Sequence, residues 1–180
     1  MISQVSGRKT KLLLSSEDIS KRVSQLGREI TQDYIDKDLV VIGVLKGGFI
    51  FLADLIRQIK LKTEIDFIRI SSYKEGTKAG GIELVTNIET SLKGRDVLLV
   101  EDLIDTGGTL DFIKETILSK NPASYKTCAL IKKQKRREVD ITVDYFGFEI
   151  NDKFIVGYGT DLAEEGRNLP DIFAIEKEDG

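Results

Sequence analysis

The segment Val97–Leu110 reads VLLVEDLIDTGGTL, and the rest of the chain is arranged around it. Its four leading apolar residues are typical of a strand buried on both faces of a sheet, and helical spacing of apolar residues begins near Leu110. The segment is therefore predicted to form a strand, a loop and a helix. Any chemistry is expected in the loop.

The loop from Asp105 to Thr109 has the composition of an anion site. Its two glycines allow backbone N–H groups to turn towards an anion, and the N-terminus of the following helix adds the positive end of its dipole. The loop is not a Walker loop, because no Gly-Lys-Ser/Thr closes it. It is predicted to hold a phosphate group.

Three acidic residues, Glu101, Asp102 and Asp105, surround this predicted anion site. Acidic side chains repel a bare anion, so they need a task such as holding a metal ion, gripping sugar hydroxyls or moving a proton. Taken singly, each would be read as the end of a strand or the cap of a helix. Together with the Thr-Gly-Gly-Thr loop they favour a ligand site.

Length and composition indicate a single soluble domain over residues 1–180. Charged residues make up 32% of the chain and the net charge is −3, which gives no bulk attraction to nucleic acid. No apolar run is long enough to span a membrane, and residues 1–11 lack the apolar core of a signal peptide. The lone Cys128 lies in an apolar stretch and is expected to be buried and inert. These features predict a cytoplasmic protein.

The chain contains no histidine, which excludes several kinds of active site. Ser-His-Asp and Cys-His catalysis and His-ligated zinc are all ruled out. Any proton transfer near neutral pH must use a carboxylate or a lysine, and any metal must be a hard cation held by oxygen. Magnesium is the expected metal.

A second glycine pair follows an earlier predicted strand. Leu39–Val44 reads as a buried strand, a helix is predicted from Phe49 to Ile59, and Lys46, Gly47 and Gly48 lie between them. Because ligands of open α/β sheets collect at the carboxyl ends of strands, these residues are a second candidate anion loop. The alternative is that the glycines serve only the turn.

Two further segments have open alternatives. The polar, glycine-rich stretch from Ser71 to Gly81, with Ser72 and Tyr73, is either an exposed hairpin connection or a lid over a reaction that must exclude water. The basic run from Lys132 to Arg137 is a nucleic-acid patch, a pyrophosphate site or a solvated turn, and its position directly after a strand favours pyrophosphate.

The alternation of strands and helices predicts an α/β domain with a mostly parallel sheet.

Four segments in order resemble the hypoxanthine-guanine phosphoribosyltransferases, a branch of the type I phosphoribosyltransferase family. The segments are Leu45–Gly48, Val100–Thr109, Phe148–Tyr158 and Arg167–Pro170. The third is the most specific, since Gly-Phe-Glu-Ile followed by Asp-Lys-Phe marks the enzymes that use 6-oxopurines. The resemblance implies a mostly parallel sheet flanked by helices, with a small hood built from terminal segments.

The resemblance also implies an activity. Ribose 5-phosphate would pass from phosphoribosyl diphosphate to N9 of hypoxanthine or guanine, giving IMP or GMP and pyrophosphate. Asp105 would be the catalytic residue that exchanges a proton with N7 of the purine. The implied cofactor is Mg²⁺, and the implied assembly is a homo-oligomer, either a dimer or a tetramer.

Specific binding roles follow from the same resemblance. Lys46 and Gly47 would bind pyrophosphate beside a non-proline cis peptide at Leu45-Lys46, and Ser72 and Tyr73 would belong to the lid. The residues implied for phosphoribosyl diphosphate are Lys46, Gly47, Glu101, Asp102, Asp105, Thr106, Gly107, Gly108, Thr109 and Arg167. The residues implied for the purine are Lys132, which would donate to O6, Phe154, which would stack on the base, Ile155, which would bind through its backbone, and Asp161. The residues implied for the metal ion are Glu101, Asp102 and Asp161.

Two rival functions are open to the same sequence. A regulator with this fold would bind RNA or DNA and would need a basic face, whereas this chain is acidic and carries no appended DNA-binding domain. A generic nucleotide-binding module would have no use for Asp105 inside the phosphate loop. The residues therefore favour an enzyme whose partners are small molecules rather than nucleic acid or membrane.

Overall fold

The computed structural model describes residues 4–72, 82–105, 107–133 and 142–176, which form a large sheet with helices on both faces and a second, smaller sheet. The strands are β1 (Gln4–Val5), β2 (Arg8–Leu14), β3 (Leu39–Leu45), β4 (Glu64–Ser72), β5 (Ile82–Thr86), β6 (Asp96–Ile104), β7 (Ser124–Lys133), β8 (Tyr145–Ile150), β9 (Ile155–Val156) and β10 (Ile172–Ile175). The helices are α1 (Ser16–Asp33), α2 (Phe49–Gln58) and α3 (Gly108–Leu118).

The large sheet has the strand order β5-β4-β3-β6-β7-β8. All neighbouring pairs are parallel except β4 and β5, so the predicted mostly parallel sheet is confirmed. The chain proceeds from β3 to β4 in one direction and from β6 to β7 in the other. In open sheets of this kind the crevice outside the carboxyl ends of the strands at such a switch point is the usual ligand site.

The middle of β6 is buried on both faces, as its apolar run predicts. Residues Val97 to Val100 have no exposed surface. Leu98 and Val100 belong to the core beneath α1 and α2, whereas Val97 and Leu99 belong to the core that contains α3. This alternation holds the carboxyl end of β6 between two packed layers, which gives the following loop a rigid base.

α1 is amphipathic and begins at a capping serine. The Ser15 hydroxyl accepts a hydrogen bond from the Asp18 amide at 3.1 Å, so Ser15 is the N-cap. One stripe of the helix, including Ile19, Leu26 and Ile30, is buried. Within the ranges that the structure describes, no helix combines the length and the apolar character needed to cross a membrane.

The smaller sheet is a hood made from the two ends of the chain. Its strand order is β1-β2-β10-β9, with every pair antiparallel. Phe173 on β10 lies opposite Leu12 on one side and Val156 on the other, and it packs with Val5 and Leu169. The predicted hood is confirmed, and the loop after β9 leads from it back to the edge of the large sheet.

Candidate active site

A cavity of about 600 Å³ opens at the carboxyl ends of the central strands. Its walls come from the end of β6 with the loop that follows, from residues 152–155 between β8 and β9, and from residues 160–161. The predicted residues that line it are Glu101, Asp102, Asp105, Gly107, Thr109, Phe154, Ile155 and Asp161. The fold therefore brings together eight residues selected from the sequence, from parts of the chain about 60 residues apart.

The predicted phosphate loop enters α3 through Gly107. This residue has a φ of 92°, in the left-handed region that favours glycine, and its carbonyl accepts the first helical hydrogen bond, from the Asp111 amide at 3.0 Å. Gly108 is the first residue of α3, so the amides of the first helical turn begin at the cavity wall. Thr106 lies outside the described residues.

A buried lysine pairs with the predicted catalytic aspartate. Lys133 Nζ lies 3.0 Å from Asp105 Oδ2 and 3.6 Å from Asp152 Oδ1, and its side chain is only 5% exposed. Lys133 lines the cavity. Because β6 and β7 are parallel and Ile104 stands opposite Lys132, the next residues along, Asp105 and Lys133, are also neighbours.

The structure does not bring Lys132, the predicted donor to O6, into this cavity. Lys132 Nζ lies 3.5 Å from Glu149 Oε1 and 4.8 Å from the ring centroid of Phe146, both on β8. The reason is the strand itself, since successive side chains point to opposite faces. Lys133, which sequence reasoning missed, takes the position that had been assigned to Lys132. The sequence carries no local signal for Lys133, because only the register of β6 against β7 places it beside Asp105.

The two adjacent acids at the end of β6 interact closely. Asp102 N donates to Glu101 Oε1 at 3.0 Å, and Leu103 N donates to Asp102 Oδ1 at 2.8 Å. Burial, followed by repulsion from Asp102, raises the pKa of Glu101 well above its usual value. A cation beside these carboxylates would relieve that repulsion, so they are suitable oxygen ligands.

The described residues do not form a complete metal cage. No group of three or more Asp, Glu or Cys side chains within them could hold a metal ion. Mg²⁺ characteristically takes only one or two protein carboxylates and completes its octahedron with water and substrate phosphates. Glu101, Asp102 and Asp161 in one cavity fit that mode of binding rather than an all-protein site.

The second glycine loop lies against the end of β6. The predicted cis peptide between Leu45 and Lys46 is present. A Cβ added to Gly47 would lie 1.9 Å from Asp102 Oδ2, which explains why this position needs glycine. This close approach places the second glycine loop at the carboxyl end of β6, where the first loop begins.

The two predicted pyrophosphate ligands with positive charge meet at a carboxylate beside the cavity. Lys46 Nζ lies 3.1 Å from Glu164 Oε2, and Arg167 NH2 lies 3.3 Å from the same oxygen. Arg167 also contacts Asp161 Oδ1 at 2.7 Å and donates to the Gly159 carbonyl at 2.9 Å. Glu164 was not singled out from the sequence.

The predicted base-binding residues differ in exposure. Phe154 is 58% exposed at the cavity, whereas Ile155 is buried.

Three other predictions concern the lid, the basic run and the lone cysteine. Ser72 is the last residue of β4, and the rest of the predicted lid, including Tyr73, lies outside the described residues. The basic run after Lys133 also lies outside them. Cys128 is fully buried and burial raises its pKa, which confirms the prediction of a buried thiol.

Comparison with known proteins identifies the family. The profile of the phosphoribosyl transferase domain matches residues 10–162, most of the chain. The chain belongs to the phosphoribosyltransferase family. The predicted membership of the phosphoribosyltransferase family is thereby confirmed.

Relatives place this phosphoribosyltransferase in the hypoxanthine-guanine branch. It is 45% identical to the hypoxanthine-guanine phosphoribosyltransferase of Aquifex aeolicus, over 97% of this chain and 99% of the relative. It is 44% identical to that of Bacillus subtilis, over 92% and 93%. The fold is shared by crystal structures of a hypoxanthine-guanine phosphoribosyltransferase from Bacillus anthracis (44% identity, TM-score 0.86, 93% of this chain and 97% of that chain covered) and of a hypoxanthine phosphoribosyltransferase from Staphylococcus aureus (40%, 0.88, 92% and 91%).

Proposed function

We propose that this phosphoribosyltransferase is a purine salvage enzyme. It transfers ribose 5-phosphate from phosphoribosyl diphosphate to N9 of hypoxanthine or guanine, giving IMP or GMP and pyrophosphate. The observation that carries the proposal is the Lys133–Asp105 pair, which shares one cavity with the loop entering α3 and with Phe154. Relatives named for this activity, at 40–45% identity over most of the chain, support it.

The base-side roles follow from the chemistry of a 6-oxopurine, whose O6 and N7 lie on the same edge. Lys133 donates to O6 and Asp105 accepts the proton from N7 as N9 forms its bond to C1′ of the ribose. The 3.0 Å contact between Lys133 and Asp105 gives a donor and an acceptor at matching spacing. Phe154 stacks on the base, and the Ile155 backbone hydrogen-bonds its edge.

The phosphate-side roles follow from the loops. The backbone amides and hydroxyls of residues 105–109 hold the 5-phosphate at the start of α3. Glu101 and Asp102 hold the ribose hydroxyls. Lys46, Gly47 and Arg167 bind the departing pyrophosphate, at the place where the two cations converge.

Mg²⁺ is the proposed cofactor, with Glu101, Asp102 and Asp161 as its protein partners. It would neutralise charge that develops on the pyrophosphate as the C1′–O bond breaks. The raised pKa of Glu101 beside Asp102 supports a cation at this position. Asp161 already accepts from Arg167 and from the Glu164 amide, so water between Asp161 and the metal suits its geometry.

Exclusion of water is assigned to the segment that begins at Ser72 and Tyr73. The transition state carries oxocarbenium character at C1′, and water at that carbon would hydrolyse the substrate instead of transferring it. The segment follows β4, whose carboxyl end lies on the same edge of the sheet as the cavity. A closing lid there is part of the proposal.

We further propose a cytoplasmic homo-oligomer, either a dimer or a tetramer, that does not bind nucleic acid or membranes. Phe49, Ile65 and Phe67 each leave more than a third of their surface exposed, and an exposed apolar patch is typical of an interface between protein chains. Ile65 and Phe67 lie on the α2 face of β4, as the contact of Phe67 with Gly43 beside Leu52 shows. Light scattering of the purified protein tests this, and a monomer would contradict it.

The activity is tested with a panel of bases. The protein is incubated with magnesium, phosphoribosyl diphosphate and, separately, hypoxanthine, guanine, adenine or uracil, and nucleotide is separated by chromatography. Hypoxanthine and guanine are expected to react, whereas adenine has an amino group where Lys133 needs an acceptor. Failure of both 6-oxopurines to yield nucleotide would contradict the proposed function.

A further inference from the structure

Glu164 stands between the two cations that the proposed function assigns to pyrophosphate. Its Oε2 atom is 3.1 Å from Lys46 Nζ and 3.3 Å from Arg167 NH2. Hydrogen bonds from Lys46 and then Arg167 hold the pKa of Glu164 below its usual value, so the carboxylate is charged at neutral pH. The Glu164 carboxylate, an anion of the protein itself, is therefore paired with both cations.

The backbone around Glu164 is held in an uncommon conformation. Leu162 and Glu165 exchange two backbone hydrogen bonds of 3.0 Å, which closes a two-residue hairpin. The turn residues Ala163 and Glu164 have φ values of 53° and 66°, as in a type I′ turn, where glycine and asparagine are preferred. Such residues persist only where surrounding contacts hold them, and they cluster at ligand sites.

Contacts from two sides hold this hairpin. The Ser6 hydroxyl in the hood donates to Glu165 Oε2 at 2.8 Å, and the Glu164 amide donates to Asp161 Oδ2 at 2.9 Å. Glu165 thus faces the hood while Glu164 faces the cations. The two neighbouring glutamates have the same charge but different partners, which makes Glu165 a matched control.

Arg167 has further capacity to bind an anion. Its Nε atom is buried and has no hydrogen-bond partner among the described residues. The Glu164 side chain is 67% exposed and that of Lys46 is 48% exposed. Exposed ion pairs contribute little to stability, so a diphosphate with several oxygens can replace the single carboxylate.

We propose that Glu164 is a built-in competitor of the diphosphate group. Resting on the proposed function, the inference is that its carboxylate holds Lys46 and Arg167 in the free enzyme and is displaced when pyrophosphate or phosphoribosyl diphosphate binds. Glu164 thereby sets how tightly the diphosphate is held and how readily pyrophosphate is released. It is a residue that tunes the affinity for the diphosphate group without touching the reacting atoms.

Calorimetric titration with inorganic pyrophosphate, in low-salt buffer containing magnesium chloride, tests the inference. Glu164→Gln is expected to lower the Kd for pyrophosphate by roughly three- to tenfold. This is the range for removing a carboxylate that makes one or two exposed ion pairs with the cations that bind pyrophosphate. Glu165→Gln, with the same change in net charge, is expected to stay within about twofold of the parent. Added salt should shrink the difference between Glu164→Gln and the parent.

Several outcomes would overturn the inference. An unchanged or higher Kd in Glu164→Gln would do so, and equal tightening in Glu164→Gln and Glu165→Gln would show a general charge effect instead. Glu164→Ala gives a second test with the same expected direction, should the Gln variant fold poorly. Nucleotide formation by the parent is measured alongside. Its absence would refute the proposed function, whereas its presence without tightening would refute only the role of Glu164.

Discussion

Lys133 Nζ and Asp105 Oδ2 lie 3.0 Å apart, joining the ends of two adjacent parallel strands inside the cavity. The lysine is almost fully buried, and a buried charge requires a partner of opposite charge, which Asp105 supplies. Lys133 supplies a hydrogen-bond donor, and Asp105 supplies an acceptor beside it. The edge of a 6-oxopurine requires such a pair, because O6 accepts a hydrogen bond and the neighbouring N7 gives up a proton.

Asp105→Asn is expected to separate binding from chemistry. Amide and carboxylate have similar shapes, so the affinity for phosphoribosyl diphosphate should remain near that of the parent. Loss of the proton acceptor should lower kcat by roughly 10²–10⁴, the usual scale for general acid–base catalysis. Steady-state kinetics with a parallel binding titration measures both quantities, and a variant with full kcat would remove Asp105 from the mechanism.

Lys133→Ala and Lys132→Ala are expected to differ, although the residues are adjacent. Removing Lys133 leaves O6 of the bound base without its donor, at a cost of about 1–3 kcal/mol, whereas the Lys132 ammonium group contacts Glu149 and Phe146 on β8. The kcat/KM for hypoxanthine should therefore fall about 5- to 150-fold in Lys133→Ala and change little in Lys132→Ala. A larger loss in Lys132→Ala would reverse the assignment.

Some of the site could be predicted because its signals are local. The phosphate loop is recognisable from the residues of Val97–Leu110 alone, because the buried strand, the glycine pair and the start of the helix are contiguous in the sequence. The hood, the cis peptide at Leu45-Lys46 and the placement of Phe154 followed from the resemblance to a family.

Other features depend on contacts between distant parts of the chain. Two adjacent lysines give no local sign of which one faces the cavity, and only the register of β6 against β7 selects Lys133 over Lys132. The hairpin at Glu164 has Ala-Glu at its turn rather than the Asn-Gly that marks type I′ turns, so nothing local predicted it. The hydrogen bond from Ser6, which lies 159 residues before Glu165, and the hydrogen bond to Asp161 hold the hairpin in place.

Gly47→Ala is expected to damage binding of phosphoribosyl diphosphate. The new methyl group would overlap the Asp102 carboxylate, which the Leu103 amide holds in place, so the loop or the carboxylate must move. Misplacement by about 1 Å typically costs up to about 10²-fold in activity, and the KM for phosphoribosyl diphosphate should rise more than that for hypoxanthine. Equal effects on both KM values would argue against a diphosphate role for this loop.

Asp66 is expected to make stability depend on pH in the acid range. Burial raises the pKa of Asp66, but hydrogen bonds from the amides of Thr90, Phe67 and Glu89 outweigh it and lower the pKa below 3.8. A lowered pKa gives stabilisation that is present above pH 3.8 and is lost as the pH falls through the folded-state pKa. The carboxylate fastens residues 89–90 to β4.

Asp66→Asn should therefore lower the free energy of unfolding at neutral pH by about 0.5–1.5 kcal/mol. The difference from the parent should shrink in acid, as Asp66 of the parent becomes protonated. Urea unfolding at neutral and acid pH measures this, with the exposed Asp36→Asn as control. A difference that stays constant with pH would show that charge on Asp66 is not involved.

The central claim is that this cavity joins a 6-oxopurine to ribose 5-phosphate with loss of pyrophosphate. The most direct measurement is the amount of IMP and pyrophosphate formed from phosphoribosyl diphosphate, with and without hypoxanthine. Equal amounts of both products with hypoxanthine, and almost none without it, are predicted. Pyrophosphate released without a matching amount of IMP, or no IMP at saturating substrates, would contradict the account.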